Sequence, residues 1–582
     1  MKFLLIDPLD TADAGAWVGQ RWDHILDLGL GGANTYDRWT QQFHCPVTTL
    51  ASLQNGFDDF RRVRDLLGRG CGRLIDSHGL DWWEIMSLLL HDEMEAVVLL
   101  QRFVQTLGPE DELYVSRPGV YAGLLQNLLP KRVTVFPLRR GAGKGGLRHY
   151  IRASWRLTTQ QIIDVFWDKY DSGQQFRGRF AGRRTPCKQS VILLPTAYIN
   201  VSRTGVAYAN TFPQENFLLV TTRRSGWIED LPRNVVAARL ASYASLCDRS
   251  EENAELENRW QSLRKELTGI AEFEILNCNE YLDSFSRYFR HGFEIRDAWR
   301  NVLDTEPVQA VLCADDSNPY TRIPLLLARE RGLPNIACHH GALDGRYVFK
   351  RSYGDTIWVK GKMEQDYLVR RCGVPAARVE IAAPSLPRNW NRNSESNRKQ
   401  FQPHILFLSE ASDVLGGRAE EFYRDILPPL ADLARSTGRK LIVKLHPAES
   451  KRERSRTLLR ILSAEQRRVT ELVHGPLTED LLAKAWFGIT ILSTVTTECA
   501  IRGIPCFLCK WLEFSPYGYV EQFIRFGVGI GLNDPSELSQ IPRYLEHPQS
   551  ADASENCWQP AGTGRLRELM ASSQKPFIAA SA

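Results

Sequence analysis

Two short polar stretches in the last third of the chain carry side chains suited to holding a phosphate. An apolar run over 441–444 leads into Leu445, His446 and Pro447. A second, over 488–492, leads into Ser493, Thr494 and, one helical turn on, Glu498. Proline lacks an N–H and fixes its φ, so His446 sits on a stiff loop. There its ring can donate to a phosphate oxygen, with the charge of Lys444 nearby. Ser493 is a good N-cap and Gly503 a good terminator for the short helix between them. The first N–H groups of that helix, and its dipole, favour an anion. Thr494 and Glu498 stand four apart and share a face, the hydroxyl suited to phosphate and the carboxylate to a ribose diol. Alone, this stretch reads equally well as an ordinary capped helix with a surface glutamate. The company of His446, about fifty residues earlier, gives it a ligand-binding meaning. The loop over 409–417 (SEASDVLGG) adds Ser409 and two glycines that permit close approach of the backbone to a phosphate. Lacking the GxGxxG spacing, it reads equally as a plain loop.

Candidates for a general base lie earlier. Asp315 and Asp316 follow an apolar run over 310–314, and His339, His340 and Gly341 end the run that begins at Asn335. A transfer to an acceptor hydroxyl needs a group that takes its proton. The acidic pair reads equally as a helix cap, and the histidines as satisfied side chains at a domain interface. His340 is favoured over Asp315 and Asp316, because a neutral imidazole needs no large pKa shift near pH 7. The following glycine also leaves room for an acceptor. Asp76-Ser77-His78 and Ser202-Arg203-Thr204 are weaker candidates for an acceptor wall. GAGKGG over 141–146 lacks the Walker spacing and reads as a flexible basic loop.

Short apolar runs alternate with amphipathic stretches throughout, the pattern of α/β layering. Strands are predicted over 3–6, 113–116, 133–136, 190–195, 217–221, 310–314 and 335–339. Helices are predicted over 83–107 and 320–331, with helical insertions near 150–185 and 235–300. A polar stretch over 388–402 cannot bury itself and reads as a linker. Beyond it, strands over 404–408, 440–444, 470–473, 488–492 and 504–509 alternate with helices over 419–436, 455–465, 478–486 and 494–502. The expected organisation is an N-terminal Rossmann-like domain over 1–390 carrying helical insertions, a C-terminal Rossmann-like domain over 403–545, and a partly disordered tail over 546–582. Two such domains imply a cleft, and ligands bind beyond the carboxyl ends of parallel strands.

Composition narrows the class. The chain has 582 residues, 43% hydrophobic and 24% charged, enough for two or three cores. A net charge of +5 lacks the concentrated basic stripe of a nucleic-acid binder, so no nucleic acid is expected. Basic residues gather at Arg139, Arg140, Lys144 and Arg148 and over 177–188. They read as solvated loops or as faces meeting acidic glycans or anionic lipid head groups, a route to peripheral contact with the inner membrane. No run reaches the roughly 18 apolar residues of a membrane helix, and the N-terminus lacks the features of a signal peptide. A cytoplasmic location is expected. Twelve scattered cysteines include one CxxC, at Cys506 and Cys509, within an apolar strand. No second pair stands at zinc spacing, so buried thiols and no metal are expected.

The runs VKLHP and ITILSTVTTECAIRGIPCF resemble the nucleotide-binding half of capsule-biosynthesis glycosyltransferases of the Kdo type. They are similar also to bacterial polysialyltransferases and CDP-glycerol glycerophosphotransferases. The resemblance spans roughly residues 335–530. It implies a GT-B-like α/β fold of two Rossmann-like domains facing a cleft. It implies a nucleotide sugar as donor, a cytidine (CMP or CDP) type being favoured over UDP, with no tightly bound cofactor. It implies a surface polysaccharide or lipid-linked glycan as acceptor. By the same resemblance His446, Ser493 and Thr494 hold the donor phosphates and Glu498 the ribose. The polysialyltransferase pattern implies Asp315 or Asp316 as base, and the CDP-glycerol pattern implies His340. Rival expectations are a polyol-phosphate transferase on the same fold, an enzyme like UDP-N-acetylglucosamine 2-epimerase, and a non-catalytic carbohydrate-binding protein. The large arginine-rich first half argues against the epimerase, and the intact His446, Ser493, Thr494 and Glu498 set against the non-catalytic protein.

Overall fold

Near-continuous apolar runs imply strands covered on both faces. Among the described residues the computed structural model shows eighteen strands in three sheets, and every pairing between these strands is parallel. The structure describes residues 1–10, 17–29, 33–137, 185–245, 248–386, 403–410, 419–446, 449–511, 516–546 and 553–573. The basic loop over 141–146, the insertion near 150–184, the linker over 388–402, the loop over 411–417 and Pro447 lie outside them.

The first sheet holds β1 (Lys2–Ile6), β2 (His24–Asp27), β3 (Val47–Thr49), β4 (Glu112–Val115) and β5 (Val133–Val135), in the order β3-β2-β1-β4-β5. The second holds β6 (Val191–Thr196), β7 (Phe217–Thr221), β8 (Val235–Arg239), β9 (Val308–Cys313), β10 (Asn335–Cys338), β11 (Thr356–Val359) and β12 (Val379–Ile381). Its order is β12-β11-β10-β9-β6-β7-β8. The third holds β13 (His404–Leu408), β14 (Lys440–Lys444), β15 (Thr470–Val473), β16 (Ala485–Thr490), β17 (Cys506–Cys509) and β18 (Ile530–Leu532), in the order β15-β14-β13-β16-β17-β18. In each sheet the first strand lies inside, and the chain winds outward from it one way and then the other. That reversal is the doubly wound pattern, and it leaves a crevice at the carboxyl ends where the direction switches.

The expected α/β class with parallel Rossmann-like sheets is present, and the chain carries it three times. The stretch over 1–390 holds two sheets. The chain divides into two compact units, one formed by Met1–Gly56, Val98–Thr159 and Asn389–Trp558 and the other by Phe57–Val97, Gln160–Arg388 and Gln559–Ala582. The first unit contains the first and third sheets, and the second unit the seven-stranded one.

Alternation of side chains feeds both faces of each sheet. In the third sheet Ile405, Phe407, Leu441, Val443, Phe487 and Ile489 pack beneath Phe422, Ile426 and Leu430 of the helix Ala419–Ser436. Leu406, Leu408, Ile442, Cys499 and Cys506 fill the opposite face. In the seven-stranded sheet Ile192, Leu194, Phe217, Leu219, Leu312, Ile336 and Trp358 form one such layer. Leu566, from the helix Arg565–Ser573, belongs to it. The stretch expected as a tail thus contributes structure. Gln559 N–H donates to the Lys360 carbonyl at 2.7 Å and Ala561 N–H to the Ala383 carbonyl at 2.8 Å, while Arg565 pairs with Glu380.

Two expectations shift. The region near 235–300 opens with a strand, β8, before the helices Ser250–Leu267, Ala271–Cys278 and Phe285–Thr305. Trp486, expected at a helix end, lies in β16. All described cysteines are free and most are buried, Cys506 and Cys509 included. Among the described residues no helix is long and apolar enough to cross a membrane.

Candidate functional site

In the seven-stranded sheet β6 and β9 are neighbours at the switch point, so Tyr198, just past β6, meets Asp315, just past β9. The Tyr198 hydroxyl donates to Asp315 Oδ2 at 2.5 Å and lies 3.3 Å from His340 Nδ1. A phenol has one proton to give. With that proton on Asp315, the tyrosine oxygen accepts from His340 Nδ1–H, which leaves the lone pair of the neutral imidazole on Nε2. Burial lowers the pKa of His340, with the Asp315 carboxylate opposing it. Burial and the same carboxylate raise that of Tyr198, which stays protonated. A half-buried, neutral histidine with a fixed tautomer is equipped to take a proton.

Asp316 goes elsewhere. Successive residues leaving a strand turn to opposite sides, and Asp316 is fully buried. Its Oδ1 takes the Lys350 ammonium at 2.7 Å, and Arg322 lies 3.6 Å from Oδ2. Arg322 continues to Glu84 at 2.6 Å, whose carboxylate also receives the backbone N–H groups of Arg351 and Ser352. Lys350 continues to Asp344 at 3.1 Å, and Ser317 Oγ donates to the same carboxylate at 2.8 Å. Burial resists the charge on Asp344, but Lys350, His339 and Arg346 outweigh it and hold the carboxyl well below its ordinary range. The sequence pairs Asp315 with Asp316; the structure separates them, one to the sheet edge and one to an internal ladder of charge.

His339 is engaged on both sides. Its Nδ1 accepts Gly341 N–H at 3.1 Å, and its Nε2 stands 4.0 Å from Asp344. Lys360 Nζ donates to the His339 carbonyl at 2.5 Å and to that of Gly341, fixing the loop that carries His340. Asp315, His339 and His340 each bring a potential ligand atom within 4.8 Å of the others. The donor set fits a cation poorly: Asp315 Oδ2 and His339 Nδ1 already accept protons, and the Lys360 ammonium sits beside them. Proton transfer suits the cluster better.

In the third sheet Leu408 pairs with Lys444 on one side and Thr490 on the other, so the carboxyl ends of β14, β13 and β16 lie level. His446 and Ser493 follow strands two spacings apart, roughly 10 Å, flanking the switch point. Ser493 and His446 are half-buried and Thr494 is exposed. The Thr494 side chain makes no cap bond, whereas Ser493 Oγ accepts Val495 N–H at 3.4 Å. Glu498 is held by Arg502 at 2.9 Å, and Arg502 also pairs with Glu479. Lys444 turns inward: Nζ donates to the Leu445 carbonyl at 2.7 Å, and burial lowers its pKa. Ser409 is buried too, its hydroxyl bonded to Glu449 and to the Tyr423 hydroxyl. The polar heads of both Lys444 and Ser409 are buried and hydrogen-bonded within the protein.

Sequence reasoning passed over Glu449 and Glu410. Glu449 accepts the His446 N–H at 2.9 Å, the Tyr423 hydroxyl at 2.9 Å and Arg454 Nε at 2.6 Å, and so sets the histidine loop. Glu410 accepts Thr490 Oγ1 at 3.1 Å and Leu492 N–H at 3.3 Å. Burial, with the charge of Glu449, pushes its carboxyl up to about 7. A glutamate two residues beyond the apolar strand 404–408 was the available signal. The two weaker motifs are structural. Asp76 accepts Arg296 at 2.7 Å and Trp82 Nε1 at 2.9 Å, and Ser202 Oγ donates to the Gly226 carbonyl at 2.6 Å.

No family model matches the chain, and no curated protein does. Solved structures with partial likeness include UDP-GlcNAc 2-epimerase from Methanocaldococcus jannaschii, at 11% identity and TM-score 0.40, covering 66% of this chain and 99% of that one. MurG from Acinetobacter baumannii stands at 12% identity and TM-score 0.40 with the same coverages, 66% and 99%. UDP-GlcNAc 2-epimerase from Neisseria meningitidis, bound to UDP-GlcNAc, stands at 10% and 0.40, again over 66% and 99%.

Two outcomes are expected from this geometry. Lys350→Met leaves Asp316 and Asp344 buried without their shared cation, and should cost about 3–5 kcal/mol in urea unfolding; a loss under about 1 kcal/mol would show the ladder is dispensable. Folding raises the Glu410 pKa from 4.5 to about 7. The native state therefore holds a proton that the unfolded chain has released, and stability falls as pH rises through that window. Glu410→Gln should melt with the parent at pH 5 and roughly 2 °C or more above it at pH 8. An equal shift at both pH values would contradict the assignment.

Proposed function

We propose that the chain is a glycosyltransferase that moves a sugar from a nucleotide-activated donor to a glycan or lipid-linked acceptor in assembling a surface polysaccharide. The observation that carries this reading is the Tyr198–Asp315–His340 chain at a topological switch point. His340 Nε2 takes the proton of an acceptor hydroxyl as that oxygen attacks the anomeric carbon of the donor. The bond from that carbon to the phosphate oxygen breaks, and the nucleotide leaves with the electron pair. Within the third sheet, His446, Ser493 and Thr494 suit a nucleotide phosphate, and Glu498, oriented by Arg502, suits a ribose diol. Asp315 acts through Tyr198 to set the imidazole tautomer. Asp316 acts through Lys350, and Ser409 through Glu449, to position the loops; Lys444 keeps β14 in place. The cytidine preference rests on the sequence resemblance alone.

The donor half is tested by thermal shift with CMP, CDP, UDP and GDP, since a ligand of the native state raises its stability. A cytidine nucleotide should raise Tm most, and no shift with any of the four would sink the nucleotide reading. His446→Ala and Thr494→Ala should each weaken binding by about 1.5–3 kcal/mol without unfolding the chain. The catalytic half is tested by His340→Ala, which should cut turnover about 100-fold and leave nucleotide binding intact. Because burial lowers the His340 pKa, turnover should hold as pH falls to about 6.5 and drop only below it. Near-normal turnover of His340→Ala would move the base to Asp315. Interconversion of the donor sugar without an acceptor would mark an epimerase, and transfer of a polyol phosphate the rival transferase.

A further inference from the structure

Carboxyl ends of parallel strands share one edge, so Tyr198, Asp315 and His340 have neighbours on the side of β7 and β8. The loop over 222–227 leaves β7 and folds back onto the segment that carries Tyr198. Thr222 N–H donates to the Thr196 carbonyl at 2.8 Å, and the Thr222 hydroxyl to the same oxygen at 3.1 Å. Ser225 Oγ donates to the Ala197 carbonyl at 3.1 Å, and Ser202 Oγ to the Gly226 carbonyl at 2.6 Å. A Cβ at Gly226 would stand 3.2 Å from the Ala197 carbonyl carbon and the Tyr198 nitrogen, so any larger residue would push the two segments apart by a few tenths of an ångström. The loop is therefore fixed to the strand end that holds the proton relay.

Its side chains suit a charged sugar. Arg223 lies with its guanidinium 4.6 Å from the centre of the Tyr320 ring, and Tyr320 opens the helix that follows the Asp315 loop. Trp227 is 37% exposed, one of few large apolar side chains so placed. Arg239, at the end of β8, covers one face of that indole at 5.4 Å. Among the described residues no carboxylate pairs with Arg239. Buried apolar area favours keeping a tryptophan inside, so an indole held at a sheet edge by a guanidinium is a platform for the apolar face of a pyranose. Guanidinium groups bind carboxylate and phosphate oxygens in pairs.

Resting on the transferase reading, we propose that Arg223, Trp227 and Arg239 form the acceptor subsite and take a sugar that bears a carboxylate or a phosphate. The ring packs on Trp227, and the anion lies between the two arginines. From β6, where Tyr198 follows, to β8 is two strand spacings, roughly 10 Å, which sets the anionic residue one sugar or so from the reacting hydroxyl.

The test is calorimetric titration of the full chain at low salt with four probes. They are a glucuronate-ended oligosaccharide, the same oligosaccharide with its carboxyl reduced to the alcohol, a hexose phosphate, and phosphatidylglycerol vesicles. At least one soluble anionic sugar should bind tenfold or more tighter than the reduced oligosaccharide. Trp227→Ala and Arg239→Ala, both exposed positions, should each weaken that binding at least tenfold while the nucleotide thermal shift is kept. Equal binding of the acidic and reduced oligosaccharides, or parent-like binding by both variants, overturns the subsite. Binding to vesicles alone identifies a lipid contact and also overturns it. Loss of every nucleotide response beside intact acidic-sugar binding sinks the transferase reading and leaves a carbohydrate site.

Discussion

A carboxylate without water needs a cation, and Asp316 is a carboxylate with no exposure at all. Lys350 and Arg322 answer it, and each is drawn in turn to a second buried acid, Asp344 and Glu84. This ladder runs through the end of β9, the helix Pro319–Glu330 and the segment 344–352. Those are the pieces that must agree before Asp315 and His340 stand at one edge. Removing a single rung leaves a bare charge in a medium that cannot solvate it. The placement of the edge therefore derives from ions buried behind it.

The third sheet reaches a comparable result with one acid. Glu449 gathers a backbone N–H, a phenol, a serine hydroxyl and a guanidinium from four parts of the chain. In doing so it turns Ser409 away from the crevice and fixes the loop on which His446 stands. In both units polar side chains near a strand end divide into two classes. One class faces outward and can touch a ligand, and the other holds the first in place.

The sequence shows β13 and β14 within their bounds, because both are apolar runs between polar turns, and β15 by its place between two helical patterns. β16 starts three residues earlier than expected, and the three-residue β18 was not expected. The polar residues that follow them were expected at one edge for the same reason: a parallel sheet sends every loop after a strand to that edge. The division of labour was not legible. Asp315 and Asp316 are adjacent and chemically identical, and only the three-dimensional placement of Lys350, thirty-four residues on, tells them apart. Tyr198 sits in a loop with no period to mark it, and its meaning comes from a contact 117 residues away. The extra sheet escaped notice because β2 and β3 are four and three residues long and carry polar ends. No shift in composition separates that sheet from its neighbour. Trp486 was drawn into a helix because the helix Glu479–Ala483 ends only two residues before β16 begins.

Vectorial synthesis meets an unusual order in this chain. The seven-stranded sheet has all its strands once β12 has left the ribosome, yet Leu566, which closes one of its apolar layers, arrives some two hundred residues later. The other unit draws its strands from two separate stretches, five of them before residue 136 and six after residue 403. Domains that form as units during synthesis bury their surface early. Here one apolar layer of the seven-stranded sheet stays incomplete until residue 566 has been made, a span in which a holding chaperone or simple speed of elongation governs the yield of native protein.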